Sequence, residues 1–92
     1  MITRFRHKGL ERLFRDGDTS GVSPQYARKL IRILGLLNIA KEPEAMALPG
    51  FKLHQLGGDR KGQWAISVSG NWRMVFTFEG TDATNVDLVD YH

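Results

Sequence analysis

Apolar positions along this chain change period once, from helical to alternating. Between His7 and Gly17, Leu10, Leu13 and Phe14 fall at helical spacing, and Gly17 stands where a left-handed residue would end the helix. From Pro24 to about Ile39, the set Ala27, Leu30, Ile31, Leu34 and Leu37 recurs at three and four, widened by Tyr26, Ile33 and Leu36. Ser23 followed by Pro24 is a start signal, a hydroxyl cap with proline where its missing N–H costs nothing. Arg28, Lys29 and Arg32 take the other side. A stripe this broad predicts packing against a sheet.

The second half alternates. Trp64, Ile66 and Val68 share one face of WAISV, and Trp72, Met74, Phe76 and Phe78 share one face of WRMVFTF. A three-residue loop of Ser69, Gly70 and Asn71 would set Val68 opposite Trp72, Ile66 opposite Met74 and Trp64 opposite Phe76. A two-residue loop would place Val68 opposite Arg73 and mix the faces, so the longer loop is expected. GTDAT reads as the next turn and NVDLVD as a further strand. ITRF at residues 2–5 is a short strand candidate, residues 40–50 a loop with one short turn, and residues 51–56 extended. The expected fold is α+β, with two N-terminal helices packed on one face of a small, mainly antiparallel sheet. A chain of 92 residues is expected to form a single domain over residues 1–92.

That register leaves the other sheet face to Ala65, Ser67, Arg73, Val75 and Thr77. Small groups around one arginine leave room for a ligand, and a guanidinium there is either an ordinary solvated side chain or a fork for phosphate. Trp64 and Trp72 fall on the packed face and read as core, and His7 as incidental.

Charge sharpens the picture. Residues 1–61 hold 12 Lys or Arg against 6 Asp or Glu, whereas residues 62–92 hold only Arg73 against Glu79, Asp82, Asp87 and Asp90. A basic front of this kind either keeps the chain soluble or attracts a polyanion. Cysteine is absent, which excludes disulfides and thiolate metal sites. The N-terminus has no apolar core of a secretory signal, and no apolar run approaches the roughly 20 residues of a membrane helix. A cytoplasmic protein with no membrane association is expected.

Taken together, MITRFRHKGLERLF, the LH.L…R.G.W.I stretch, the NWR…F strand and the closing DYH extend over nearly the whole chain. The sequence resembles the HigB-type toxins within the RelE/ParE-like toxin–antitoxin family. The resemblance implies a RelE-like fold and an mRNA endonuclease acting in the decoding site of the ribosome, neutralised by a small helix-turn-helix antitoxin. It implies functional roles for His54 in LH.L, for Asn71 and Arg73 in NWR, and for Asp90, Tyr91 and His92 at the end, with Arg60 and Lys61 in a loop facing RNA. Two positions depart from the pattern: Gly57 stands where a lysine is frequent, and Ser67, Val68 and Ser69 lack a frequent arginine. Fewer cations weaken backbone binding.

RNA brings its own nucleophile, the 2′-OH beside the scissile phosphate. Its attack leaves a 2′,3′-cyclic phosphate and a free 5′-OH without a metal or cofactor. The site must supply a base, an acid and charge for the phosphoryl oxygens. Arg73 suits the charge; His92, His54 and Asp90 are candidates for proton transfer. Tyr91 can stack on a base or donate to phosphate. Asn71 is either a turn former or a base reader. A metal nuclease is not expected: Asp87 and Asp90 fall on opposite strand faces, and the histidines are dispersed. GGDRKG lacks the spacing of a phosphate-cradling loop. The alternatives are a catalytically weak or inactive RNA-binding repressor subunit and a gyrase-poisoning toxin.

Overall fold

In the computed structural model, which describes residues 1–60 and 62–90, the first helix needs no hydroxyl cap. Helix α1, Lys8–Asp16, is capped by His7, whose Nδ1 accepts the Leu10 N–H at 3.0 Å. His7 is therefore structural rather than incidental. At the other end Gly17 adopts φ 71° and donates to the Leu13 carbonyl at 3.0 Å, so the helix stops where the glycine allows a left-handed residue. Pro24–Tyr26 form a single 3-10 turn leading into α2, Ala27–Ile39. Ser23 precedes this turn in extended conformation without a side-chain capping bond. Proline geometry, not the hydroxyl, starts this helix.

The buried stripe of α2 is Ala27, Leu30, Ile33, Leu34 and Leu37. Ile31, expected inside, is 48% exposed. At 3.6 residues per turn it lies about 100° from Leu30, so once Ile33 turns inward the stripe's centre moves away from it. A second 3-10 turn, Pro43–Met46, buries Met46.

The sheet follows in the order β1-β2-β3-β4, from His54–Gln55, Trp64–Ser69, Trp72–Glu79 and Asp82–Asp90, all antiparallel. Only two residues of the expected extended segment at 51–56 pair as β1. Trp64 opposes Phe76 and Ile66 opposes Met74, as the alternation predicts. Nearer the turn Ser69, not Val68, opposes Trp72, with a register shift between Ser67 and Ser69. The hairpin thus closes on two residues, Gly70 and Asn71, and a bulge absorbs the mismatch that a third loop residue would have absorbed. Val68 stays in the core, 1% exposed, by that device.

Residues 2–5 make isolated parallel bridges, Ile2 with Ala83 and Phe5 with Val86, along the outer edge of β4. Asn38 of α2 holds this segment from the other side, accepting the Ile2 N–H at 2.9 Å. Leu30, Ile33, Leu34 and Leu37 meet Ile66, Val68, Met74, Phe76 and Val86 in one cluster, with Leu10 and Leu13 from α1. Each such side chain contributes roughly 1.5–3 kcal/mol when fully buried. Both helices therefore cover one face of the sheet. Trp64 and Trp72 pack against the edge of this cluster as partly buried groups.

Candidate functional site

Direct cross-strand partners share a face, so the register defines what stands on the side the helices leave open. One row runs His54, Ala65, Val75, Asp87 across all four strands. The next row toward the hairpin turn runs Ser67, Arg73, Val89. Ala65 is 0% exposed and Val75 3% exposed although α1 and α2 pack on the opposite face. Val75 lies among Arg6, Asp59, Gln63, Asn85 and Asp87.

His54 and Arg73 are two strands and one pleat period apart, about 12 Å between Cα atoms at normal sheet spacing. The His54 Nδ1 lies 3.0 Å from the Lys52 carbonyl. Because a carbonyl can only accept, Nδ1 is the donor in this bond, and Nε2 is the ring nitrogen that the bond does not use. His54 is exposed at the sheet edge. Arg73 is half-buried, and its Nη1 donates to the carbonyls of Gly70, at 2.8 Å, and Trp72, at 3.0 Å. The turn thereby anchors one nitrogen of the guanidinium and fixes its plane. Asn71, exposed, occupies the turn itself.

Asp90 closes β4 opposite Trp72, while its neighbour Val89 opposes Arg73. Alternation gives Asp90 to the helix side, so it reaches the Arg73 side only around the strand's end. Asp87 opposes Val75, so the two acids fall on opposite faces as expected. Arg60 ends a 3-10 turn, Gly58–Arg60, between β1 and β2. Lys61, Tyr91 and His92 lie outside the described residues. Among the described residues, no group of three or more His, Cys, Asp or Glu could hold a metal ion. No helix among them is long and apolar enough to cross a membrane.

Beside the His54 row lies a polar cradle of about 260 Å³, lined by Arg6, Asp59, Gln63, Val75, Asn85 and Asp87. Sequence reasoning missed it. Its signal was Asn85, a poor strand former inside NVDLVD, which takes φ 54° at a register shift between Val75 and Thr77.

A family model described as the RelE-like toxin of type II toxin-antitoxin system HigB matches residues 3–92. The chain belongs to the HigB-like toxin family. A relative in that family, "Endoribonuclease HigB" of Proteus vulgaris, is 42% identical over 92 residues, covering 100% of both chains. Within this HigB-like toxin, His54 and Arg73 share the open face, Asn71 borders it, and Asp90 stands at its end.

Proposed function

We propose that this HigB-like toxin is a metal-independent mRNA endonuclease that acts on the ribosome and halts translation. The observation that carries the reading is the pair on the open face: an imidazole presenting Nε2 and a guanidinium anchored at the turn, both within reach of one short stretch of RNA. Arg73 neutralises the phosphoryl oxygens, whose charge grows as the 2′-OH attacks. One histidine takes the 2′-OH proton and a second group returns one to the 5′ oxygen. His54 and His92 are the candidates for this exchange. Asp90 accepts from an imidazole or serves as base, and Tyr91 contacts base or phosphate. Asn71 reads a base, and Arg60 and Lys61 hold the RNA backbone. With a small site, much of the rate comes from the ribosome holding the mRNA in line. The partners are a helix-turn-helix antitoxin and the ribosome with mRNA in its decoding site, and the compartment is the cytoplasm.

A non-catalytic subunit is the second reading, favoured by one observation. Ser67, directly opposite Arg73, and Gly57 are uncharged where the phosphate would bind. Mapping mRNA 5′ ends in cells expressing the wild type, His92→Ala, or a chain truncated after Val89 separates the two. Wild type is expected to cut within translated codons and both variants to lose the cuts. Equal toxicity from the truncated chain would sink the terminal part of the site, and absence of wild-type cuts would favour the repressor reading.

A further inference from the structure

We propose that Lys52 is a positioning residue for His54: its left-handed backbone aims the Lys52 carbonyl at the His54 ring and so leaves Nε2 facing the substrate. The consequence for catalysis rests on the endonuclease reading, whereas the tautomer that Lys52 fixes is a property of the chain alone.

Lys52 takes φ 52°. Outside glycine, asparagine and aspartate this conformation is uncommon, because Cβ crowds the following carbonyl. The lysine side chain does not account for it. Lys52 is exposed and, among the described residues, makes no ion pair within 4.0 Å. The cause lies in how the backbone is pinned on both sides of it. Pro49 and Gly50, the latter at φ 85°, are the central residues of a turn closed by the Phe51 N–H on the Leu48 carbonyl at 3.0 Å. Phe51 is buried, and its carbonyl accepts the Ser67 N–H at 2.7 Å. His54 in turn opposes Ala65. From Phe51 to His54 the chain advances three residues, whereas β2 advances two from Ala65 to Ser67. One residue is extra, and the left-handed Lys52 absorbs it. Bulges of this kind put a left-handed residue, usually glycine, into an edge strand and re-aim the groups beside it. β1 is such an edge strand.

The re-aimed group is the carbonyl. In a regular strand the carbonyls lie in the row of interstrand bonds, while side chains stand perpendicular to that row. The Lys52 carbonyl instead meets His54 Nδ1 at 3.0 Å. Nδ1 donates in this bond, and a neutral imidazole carries hydrogen on one nitrogen only. A neutral ring held in this way has its free lone pair at Nε2, where it can take the proton of a 2′-OH. The same kink is tied to the cation of the site. Ser67, whose N–H holds the Phe51 carbonyl, directly opposes Arg73. Ring and guanidinium are thereby registered on one strand, β2.

The test compares Lys52→Gly, Lys52→Asn and Lys52→Val in the full chain. Glycine and asparagine accept the left-handed conformation, and a β-branched valine does not. All three remove the ammonium, so a backbone effect separates valine from the other two. Two-bond ¹H–¹⁵N spectra of the histidine rings, taken where imidazoles are neutral and assigned with His54→Gln, show which nitrogen carries the hydrogen. Wild type, Lys52→Gly and Lys52→Asn are expected to carry it on Nδ1 of His54, and Lys52→Val to move it at least partly to Nε2. On ribosome-bound mRNA, Lys52→Val should lower kcat about 10²-fold, the scale of misplacing a reacting group by about 1 Å, with KM little changed. Lys52→Gly and Lys52→Asn should keep kcat. Hydrogen on Nε2 in the wild type, an unaltered tautomer in Lys52→Val, or an equal loss of kcat in all three variants would overturn the proposal. If wild type cuts nothing on ribosomes, the endonuclease reading fails and the ring spectra still decide the role of Lys52. If wild type and all three variants cut alike, the endonuclease reading stands and the positioning role fails.

Discussion

The two faces of the same four strands have opposite characters. On the helix side Ile66, Met74 and Phe76 are each 0% exposed and interlock with α2. On the open side Ala65 and Val75 are nearly as dry, yet their neighbours are His54, Ser67, Arg73 and Asp87. One face gains its dryness from large side chains meeting a second layer. On the other, Val75 lies among Arg6, Asp59, Gln63, Asn85 and Asp87. Burial alone therefore does not mark a core.

Substitutions should separate the faces cleanly. Phe76→Ala is expected to cost about 3–5 kcal/mol in urea unfolding, with any activity lost in proportion to the unfolded fraction. A smaller loss would mean that the helix face carries less of the stability than its packing implies. Arg73→Ala should act the other way, lowering cleavage of ribosome-bound mRNA about 10²–10³-fold, the usual effect of one charge-stabilising group. Its unfolding midpoint should change little, since among the described residues the guanidinium donates to the Gly70 and Trp72 carbonyls of its own turn. A large stability loss there would blur the comparison. His7→Ala belongs to neither face; removal of the cap on α1 should cost about 1 kcal/mol, read as a lower melting temperature with cleavage intact.

The smallest effect is one of pH. Asp18 is held below the ordinary carboxylate value of 3.8 by the Ser20 backbone N–H, then by the Ser20 side chain, against slight desolvation and with help from Arg12. Because the folded value is the lower one, its contribution is present above that ordinary value and fades as pH falls through the folded value. Asp18→Asn should therefore narrow the stability gap between neutral and acid solution. An unchanged gap would mean that the loop bond to Ser20 persists in the unfolded chain.

Periodicity makes much of this legible. The alternation in WAISV and WRMVFTF determines which residues face the helices, because a register slip would expose the whole apolar set. What it cannot count is the bulge, since Val68 stays inside whether the loop has three residues or two plus an inserted one. Ile31 falls outside the stripe for a related reason: a helix this rich in apolar side chains allows two stripe centres, and only the sheet opposite chooses. The cap by His7 is hidden because a histidine is not a common cap residue. In the site, the shared face of His54 and Arg73 depends on β1, whose two paired residues carry too little pattern to predict. The acid–amide cradle depends on a loop, a bulge and the N-terminal edge arriving together, and no local spacing encodes that meeting. The family resemblance points to His54, Asn71, Arg73 and Asp90; it says nothing of Asn85.

The parallel bridges of residues 2–5 along β4 also bear on how the chain comes into being. Ile2 waits for Ala83 and Phe5 for Val86, partners 81 residues further along the chain (83 − 2 and 86 − 5). Even the terminal ammonium lies 3.4 Å from Asp82. Contacts this distant in sequence are slow to form, because the loop must close before they repay it. The edge of the sheet, and the Arg6 wall of the cradle with it, can therefore be completed only after β4 has been made.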